Sequence, residues 1–296
     1  DPARLLRFPS GPLPASLVPR YTPAWGQLLK RLDNSGILQV APAGAVPRGP
    51  SGEDLRATVF AVRKDEEQDR SILNRQRRNA VEERVDGVTP TFPHGSQLAE
   101  LTLGPGEKLR ISADDLPDYY HTLAVTAERA RTNAFGPTLR SGEAKRYCGR
   151  AWAAMDAVDR EEAESSDRVA TLWGALPMGD GNAVSFSQEG HVNMLAAGGC
   201  MRAEDLLVYQ RPSPLGDVAE GAMVDDHVVA GRVARTARRA DALAELAALE
   251  QAGAGDATDL VLLVVRHLEQ RLDDIARADD VGDTGELASK YDVSVT

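Results

Sequence analysis

The sequence predicts an α+β fold in which short antiparallel strand pairs are backed by helices, and three observations carry that expectation. Apolar residues recur at helical spacing, first at Trp25, Leu28, Leu29 and Leu32. β-rich runs alternate with turn-forming residues: Thr58-Val59-Phe60-Ala61-Val62 and Ser71-Ile72-Leu73 flank the charged stretch 64–69. Near residue 225, Ala222-Met223-Val224-Asp225-Asp226-His227-Val228-Val229 holds two adjacent carboxylates between apolar runs. That pattern suits a hairpin in a buried sheet with the acids at its tip.

Residues 1–24 are Pro-rich and aperiodic, an extended arm. A helix over 21–34 stops at Asn34-Ser35-Gly36, and Ile37-Leu38-Gln39-Val40 follows as a short strand. After the hairpin over 58–73, residues 83–96 read as irregular. Leu109-Arg110-Ile111-Ser112 is a strand running into Asp114-Asp115. Helical patterning covers 119–131, and Pro117 bars a much earlier start. The polar stretch 157–168 reads as an inserted loop or exposed helix. Helices are predicted over 183–197, 234–252 and 260–277, the last two flanking the Lys-free stretch 253–259.

Composition is that of an ordinary soluble globular protein, with 42% hydrophobic and 27% charged residues. No run approaches the ~18 apolar residues of a membrane span. The chain begins Asp1-Pro2, without an initiator Met or a signal pattern, which predicts a fragment of a longer product. Cys148 and Cys200 lack zinc-site spacing, so a reducing intracellular compartment (cytoplasm or nucleus, not secreted) is expected.

The net charge of −11 opposes nucleic-acid binding, yet its distribution weakens the objection. Residues 241–296 hold 13 acids and 4 bases, whereas the other 240 residues hold 32 and 30. Arg56, Arg63, Lys64, Arg70, Arg75, Arg77 and Arg78 form a local basic region.

Asp-Asp occurs four times, at 114–115, 225–226, 273–274 and 279–280, so the flanks rather than the pair single out 225–226. Two crowded like charges persist more easily with a cation beside them. Oxygen-only ligands suit Mg²⁺, which takes one or two carboxylates and leaves its other positions to water and substrate phosphates.

The order of these pieces resembles the fingers and palm of retroviral and retrotransposon reverse transcriptases, over roughly residues 25–250. Val59-Phe60-Ala61-Val62-Arg63-Lys64-Asp65 with Arg70 and Asn79 is similar to the fingers hairpin. The resemblance implies that Lys64 and Arg70 bind the incoming triphosphate, whose oxygens Arg can hold bidentately. Asn74 stands where many relatives carry Asp. Phe92-Pro93-His94 resembles the crossing from fingers to palm. Asp115-Leu116-Pro117-Asp118-Tyr119-Tyr120 resembles the first catalytic motif: Asp115 would bind metal, and Tyr120 would lie under the sugar and exclude a 2′-hydroxyl. Asp114 competes, but only Asp115 places an acid at +3 and an aromatic at +5. Thr132-Asn133-Ala134-Phe135 resembles the strand that follows.

Leu176-Pro177-Met178-Gly179, with Gln188, is similar to the second motif, where Gly179 lets backbone approach the nucleotide. Met178 and Asn182-Ala183 depart from the family pattern. Val224-Asp225-Asp226 matches the third motif, Asp225 completing the metal pair with Asp115 and Asp226 supporting it. The resemblance thus implies a right-hand polymerase with fingers over 25–108, a palm carrying a fingers insertion over 109–252, and an acidic helical tail over 253–296. Its thumb is lacking or degenerate, and no acidic quartet of an RNase H domain is found. Two Mg²⁺ ions, with Mn²⁺ as a substitute, are implied at Asp115, Asp225 and Asp226. Implied partners are an RNA or DNA template with primer, deoxynucleoside triphosphates, and RNase H or integrase domains of a retroelement polyprotein; no membrane partner is expected. His94 and His227 read as packing or surface residues. The alternatives are a degenerate palm serving as a nucleic-acid-binding or protein-interaction module, and a plain interaction protein in which Asp225-Asp226 is only a turn.

Overall fold

The computed structural model describes residues 24–85 and 91–235. The predicted arm, the helix over 260–277 and the acidic tail lie outside the described residues. Helix α1 (Trp25–Asn34) turns Leu29 and Leu32 inward, and the Ser35 hydroxyl closes its end on the Leu32 carbonyl at 2.9 Å. Strand β1 (Leu38–Pro42) follows. Strands β2 (Thr58–Arg63) and β3 (Asp69–Asn74) pair antiparallel across the charged turn, as predicted, with Val59 opposite Leu73. Asp65 builds that turn by accepting the Glu67 and Gln68 N–H groups at 2.9 and 2.8 Å. Short helices α2 (Gln76–Val81) and α3 (Gly95–Ala99) lead to β4 (Glu107–Asp115).

The predicted helix over 119–131 is instead two, α4 (Tyr119–Thr122) and α5 (Ala127–Thr132). The intervening backbone pairs elsewhere: Val125 N–H donates to the Gly174 carbonyl at 3.0 Å, and the Leu123 carbonyl accepts from Leu176 at 2.8 Å. Thr126 then caps α5 through its hydroxyl. Strand β5 (Ala134–Leu139), helices α6 (Ser141–Tyr147), α7 (Gly149–Ala154) and α8 (Ala157–Ser166), and strand β6 (Val169–Trp173) come next. Helix α8 is the exposed helix expected for 157–168, capped by Asp156 and burying only Ala163. Helix α9 (Ala183–Ala197) occupies its predicted span, and β7 (Val218–Met223) and β8 (Asp226–Ala234) form the acidic hairpin. Ala234 ends β8, paired with Glu107, rather than opening a helix; the rest of that predicted helix lies outside the described residues.

Helices thus back antiparallel sheets, in the strand orders β1-β6-β5, β2-β3 and β4-β8-β7. Every residue of β6 is buried because it is the middle strand of a sheet covered on both faces. The main core sits on this sheet, where Phe135 meets Trp25 and Trp173 edge-on at centroid distances of 5.9 and 5.8 Å. Gly136, at φ +69°, admits the Trp25 ring, since a Cβ there would come within 2.4 Å of it. No helix among the described residues is long and apolar enough to cross a membrane.

A buried ion network joins α2, α5 and the turn before α9. Arg75 binds Asp180 at 2.7 Å and Glu82 at 3.1 Å, Arg78 binds Glu82 at 3.0 Å, and Arg129 bridges both acids. All five side chains are less than a tenth exposed. Burial pulls the Arg75 pKa down, while Arg75 and Arg129 hold Asp180 low against the opposing effect of its own burial. The basic region at 56–78 is therefore divided. Arg75 and Arg78 face inward to neutralise carboxylates, while Lys64 and Arg70 remain exposed.

Removing one acid from this network strands guanidinium charge away from water. Glu82→Ala is expected to cost about 3–5 kcal/mol in urea unfolding, whereas Glu164→Ala, on the exposed Lys145 pair, shifts stability by less than about 1 kcal/mol.

Candidate active site

The β4–β8 register sets the site. Asp115 stands directly opposite Asp226, and Asp114 opposite His227. Side chains alternate between faces along a strand, and cross-strand partners share a face. Asp115 and Asp226 therefore project side by side, with Asp114 on the reverse face. Asp225 and Val224 make the two-residue turn, and Leu116 N–H extends the pairing by donating to the Asp225 carbonyl at 3.0 Å. Partial burial, Asp225 and Asp115, in that order, raise the Asp226 pKa above the usual aspartate value. The site thus crowds oxygen donors that repel one another, the chemistry a hard divalent cation relieves. Among the described residues, no three His, Cys, Asp or Glu side chains are already drawn into a cage. Mg²⁺ needs only one or two carboxylates, so Asp115, Asp225 and Asp226 fit it by donor type.

Helix α4 lies beside the acids. Tyr119 is buried and donates its hydroxyl to the Ser187 carbonyl at 3.0 Å. Burial first, then Asp225, pushes its pKa up to about 12. Tyr120 is half-buried; burial and Asp225 raise its pKa, against a hydrogen bond from the Ser187 side chain. Lys64 reaches this segment from the β2–β3 turn, its Nζ 3.9 Å from Asp118 Oδ1. Arg70 acts on it too, adding to burial in depressing the His121 pKa. Asp115, Asp225, Asp226 and Tyr120 are thereby brought together, with Lys64 and Arg70 facing the same segment from β2–β3.

Gly179 has a different neighbour. At φ +101° its backbone lies against β3, where an added Cβ would fall 2.1 Å from the Leu73 carbonyl oxygen. The Asn79 side chain donates to the Gly179 carbonyl at 2.8 Å, and Met178 accepts from Leu73 N–H at 3.0 Å. Asn182, the departure noted in sequence, is buried and donates to the Glu83 carbonyl at 2.9 Å. The turn is thus fixed to the β2–β3 hairpin and to the ion network.

Helix α9 supplies Gln188, which the second motif included, and two residues that the sequence reading missed, Ser187 and His191. Ser187, Gln188 and His191 are buried polar side chains on one helical face, at i, i+1 and i+4. Gln188 donates to the Ala222 carbonyl at 2.8 Å and accepts Val224 N–H at 2.7 Å. His191 Nδ1 lies 2.8 Å from the Val224 carbonyl. Val224 has φ +60°, a left-handed conformation that a β-branched residue adopts only under constraint. Of the packing and surface positions open to it, His227 takes the buried one, with Nε2 3.2 Å from Glu220 Oε2. His94 caps α3. Ser185, Glu189 and Asn193 are polar as well, so nothing in the sequence of α9 separates the buried polar residues from the others.

No protein-family model matches the chain, and no curated protein matches it. Among solved structures, a foamy viral protease-reverse transcriptase dRH in complex with ds DNA aligns with 75% of this chain at 14% identity and a TM-score of 0.38. The chain spans 31% of that protein's length.

The raised Asp226 pKa fixes the sign of a pH effect. Between the ordinary value of 3.8 and its raised folded value, the native state binds more protons than the unfolded chain, so stability falls as pH rises through that window. Asp226→Asn removes this loss. The variant should be more stable than wild type at pH 7 by roughly 0.2–0.5 kcal/mol after solvent screening, with the gain vanishing below about pH 3. Urea midpoints measured across pH check it, and a pH-independent difference contradicts it.

Proposed function

We propose that the chain carries out template-directed nucleotidyl transfer, as an RNA-directed DNA polymerase using two Mg²⁺ ions within a larger retroelement product. The observation that carries this reading is the placement of Asp115 and Asp226 side by side, with Asp225 in the adjoining turn. Asp115, Asp225 and Asp226 would hold the ions, which supply the positive charge that a 3′-hydroxyl attack and a departing pyrophosphate require. The remaining groups bind and orient. Lys64 and Arg70, both exposed, neutralise and align the triphosphate. The half-buried ring of Tyr120 offers a surface to the sugar and leaves little room for a 2′-hydroxyl. Gly179 holds the turn ahead of α9 against β3, and so sets the spacing between the hairpin and that helix. Positioning and charge stabilisation carry most of such a reaction, so few side chains suffice. In this reading residues 25–108 form fingers, 109–252 a palm with a fingers insertion, and 253–296 an acidic tail.

One observation favours a second reading, a palm that binds nucleic acid or protein without extending a primer. Arg75 and Arg78 are spent on the buried network, leaving fewer bases for phosphates.

Primer extension on poly(rA)/oligo(dT) with Mg²⁺ or Mn²⁺ separates the two. Wild type is expected to extend, and Asp225→Asn to lose ~10²-fold or more. Extension indifferent to the substitution sinks the mechanism, and template binding without extension selects the second reading.

A further inference from the structure

The peptide between Val224 and Asp225 is one planar unit, so the direction of the Val224 carbonyl fixes the direction of the Asp225 N–H and the start of the Asp225 backbone. In two-residue hairpin turns this central peptide is the one whose reversal separates the alternative turn types. Val224 has a positive φ and Asp225 does not, the pattern of a II′ turn, whose first position is normally Gly. Valine there is strained, and something must hold it. Two buried side chains do: Gln188 takes the Val224 N–H at 2.7 Å, and His191 meets the Val224 carbonyl at 2.8 Å. A carbonyl oxygen only accepts, so His191 carries its proton on Nδ1. The ring is 2% exposed, packed 5.5 Å from the Tyr119 ring and 6.3 Å from His227.

We infer that His191 is a positioning residue: its Nδ1–H locks the Val224–Asp225 peptide and thereby aims the Asp225 carboxylate at the position beside Asp115 and Asp226. The catalytic consequence rests on the polymerase reading; the lock itself does not. Burial favours the neutral ring, which donates from Nδ1 when its proton is held there. Gln188 cannot replace it, because its two hydrogen bonds are made to Ala222 and to the other side of Val224.

The test compares wild type with His191→Leu, His191→Asn and the double variant His191→Leu/Val224→Gly, in the full chain. Amide hydrogen exchange at residues 222–226 reads the turn directly, and nucleotide incorporation reads kcat and KM. His191→Leu should speed exchange at Val224 and Asp225 on the order of tenfold, and lower kcat on a similar scale with KM for the nucleotide little changed. His191→Asn, which keeps a donor, should recover part of both. Val224→Gly removes the strain that His191 opposes, so the double variant should return towards wild type. Unchanged exchange in His191→Leu overturns the inference. So does faster exchange throughout β4, β7 and β8 that Val224→Gly fails to suppress, which marks a packing role alone. A wild type without incorporation, whose turn amides still respond as described, upholds the His191 lock and overturns the polymerase reading.

Discussion

Asp115 and Asp226 stand opposite one another in an antiparallel pair, where like charges repel, and the strand register leaves neither a way to turn aside. A one-residue slip would separate them, but it would also carry Ala230 out of the core and His227 away from Glu220. The register is therefore held by burial further along β8, and the repulsion is imposed on the tip. The turn adds a second cost, since Val224 sits in a left-handed conformation. Hydrogen bonds from α9 oppose both. Each is individually worth about 1 kcal/mol, but they act on the same two residues, and they turn a repelling tip into a fixed arrangement of oxygen donors.

Helix α9 can do this only if its own start is fixed. The turn leading into it bears Asp180, whose carboxylate is shared by Arg75 and Arg129, and Gly179, which lies against the Leu73 carbonyl. The buried ion network thus ties α2 and α5 to the base of the helix that clamps the acidic hairpin. Breaking such a network costs more than its net contribution, because the charges left behind are away from water. Position at the tip therefore depends on charge neutralisation at the far end of α9.

The hairpins at 58–74 and 218–234, the strand into Asp115 and the span of α9 were legible because local patterning and turn chemistry agree with the tertiary structure. Strand β6 was not: Val169-Ala170-Thr171-Leu172-Trp173 is short and apolar, and a buried middle strand shows no alternation to mark it. The helix over 119–131 was overestimated because periodicity does not reveal that Leu123 and Val125 pair with backbone after β6. Of the site, the acids and Tyr120 could be singled out by motif order. Gln188 apart, their support could not. Arg75 and Arg78 read as part of a basic surface because sequence does not show the Glu82 and Asp180 carboxylates that bury them, and His191 carries no motif at all.

The proposed divalent-cation site at the acidic tip is assembled by the β4–β8 register, which sets Asp115 opposite Asp226. Titrating the full chain with Mn²⁺ and following free Mn²⁺ by electron paramagnetic resonance measures it without reference to catalysis. Saturable binding is expected for wild type, weakened at least about tenfold when Asp115→Asn removes one carboxylate of the opposed pair, and unchanged by Asp114→Asn on the reverse face. Binding that is equally insensitive to both substitutions, or absent at millimolar Mn²⁺, contradicts it.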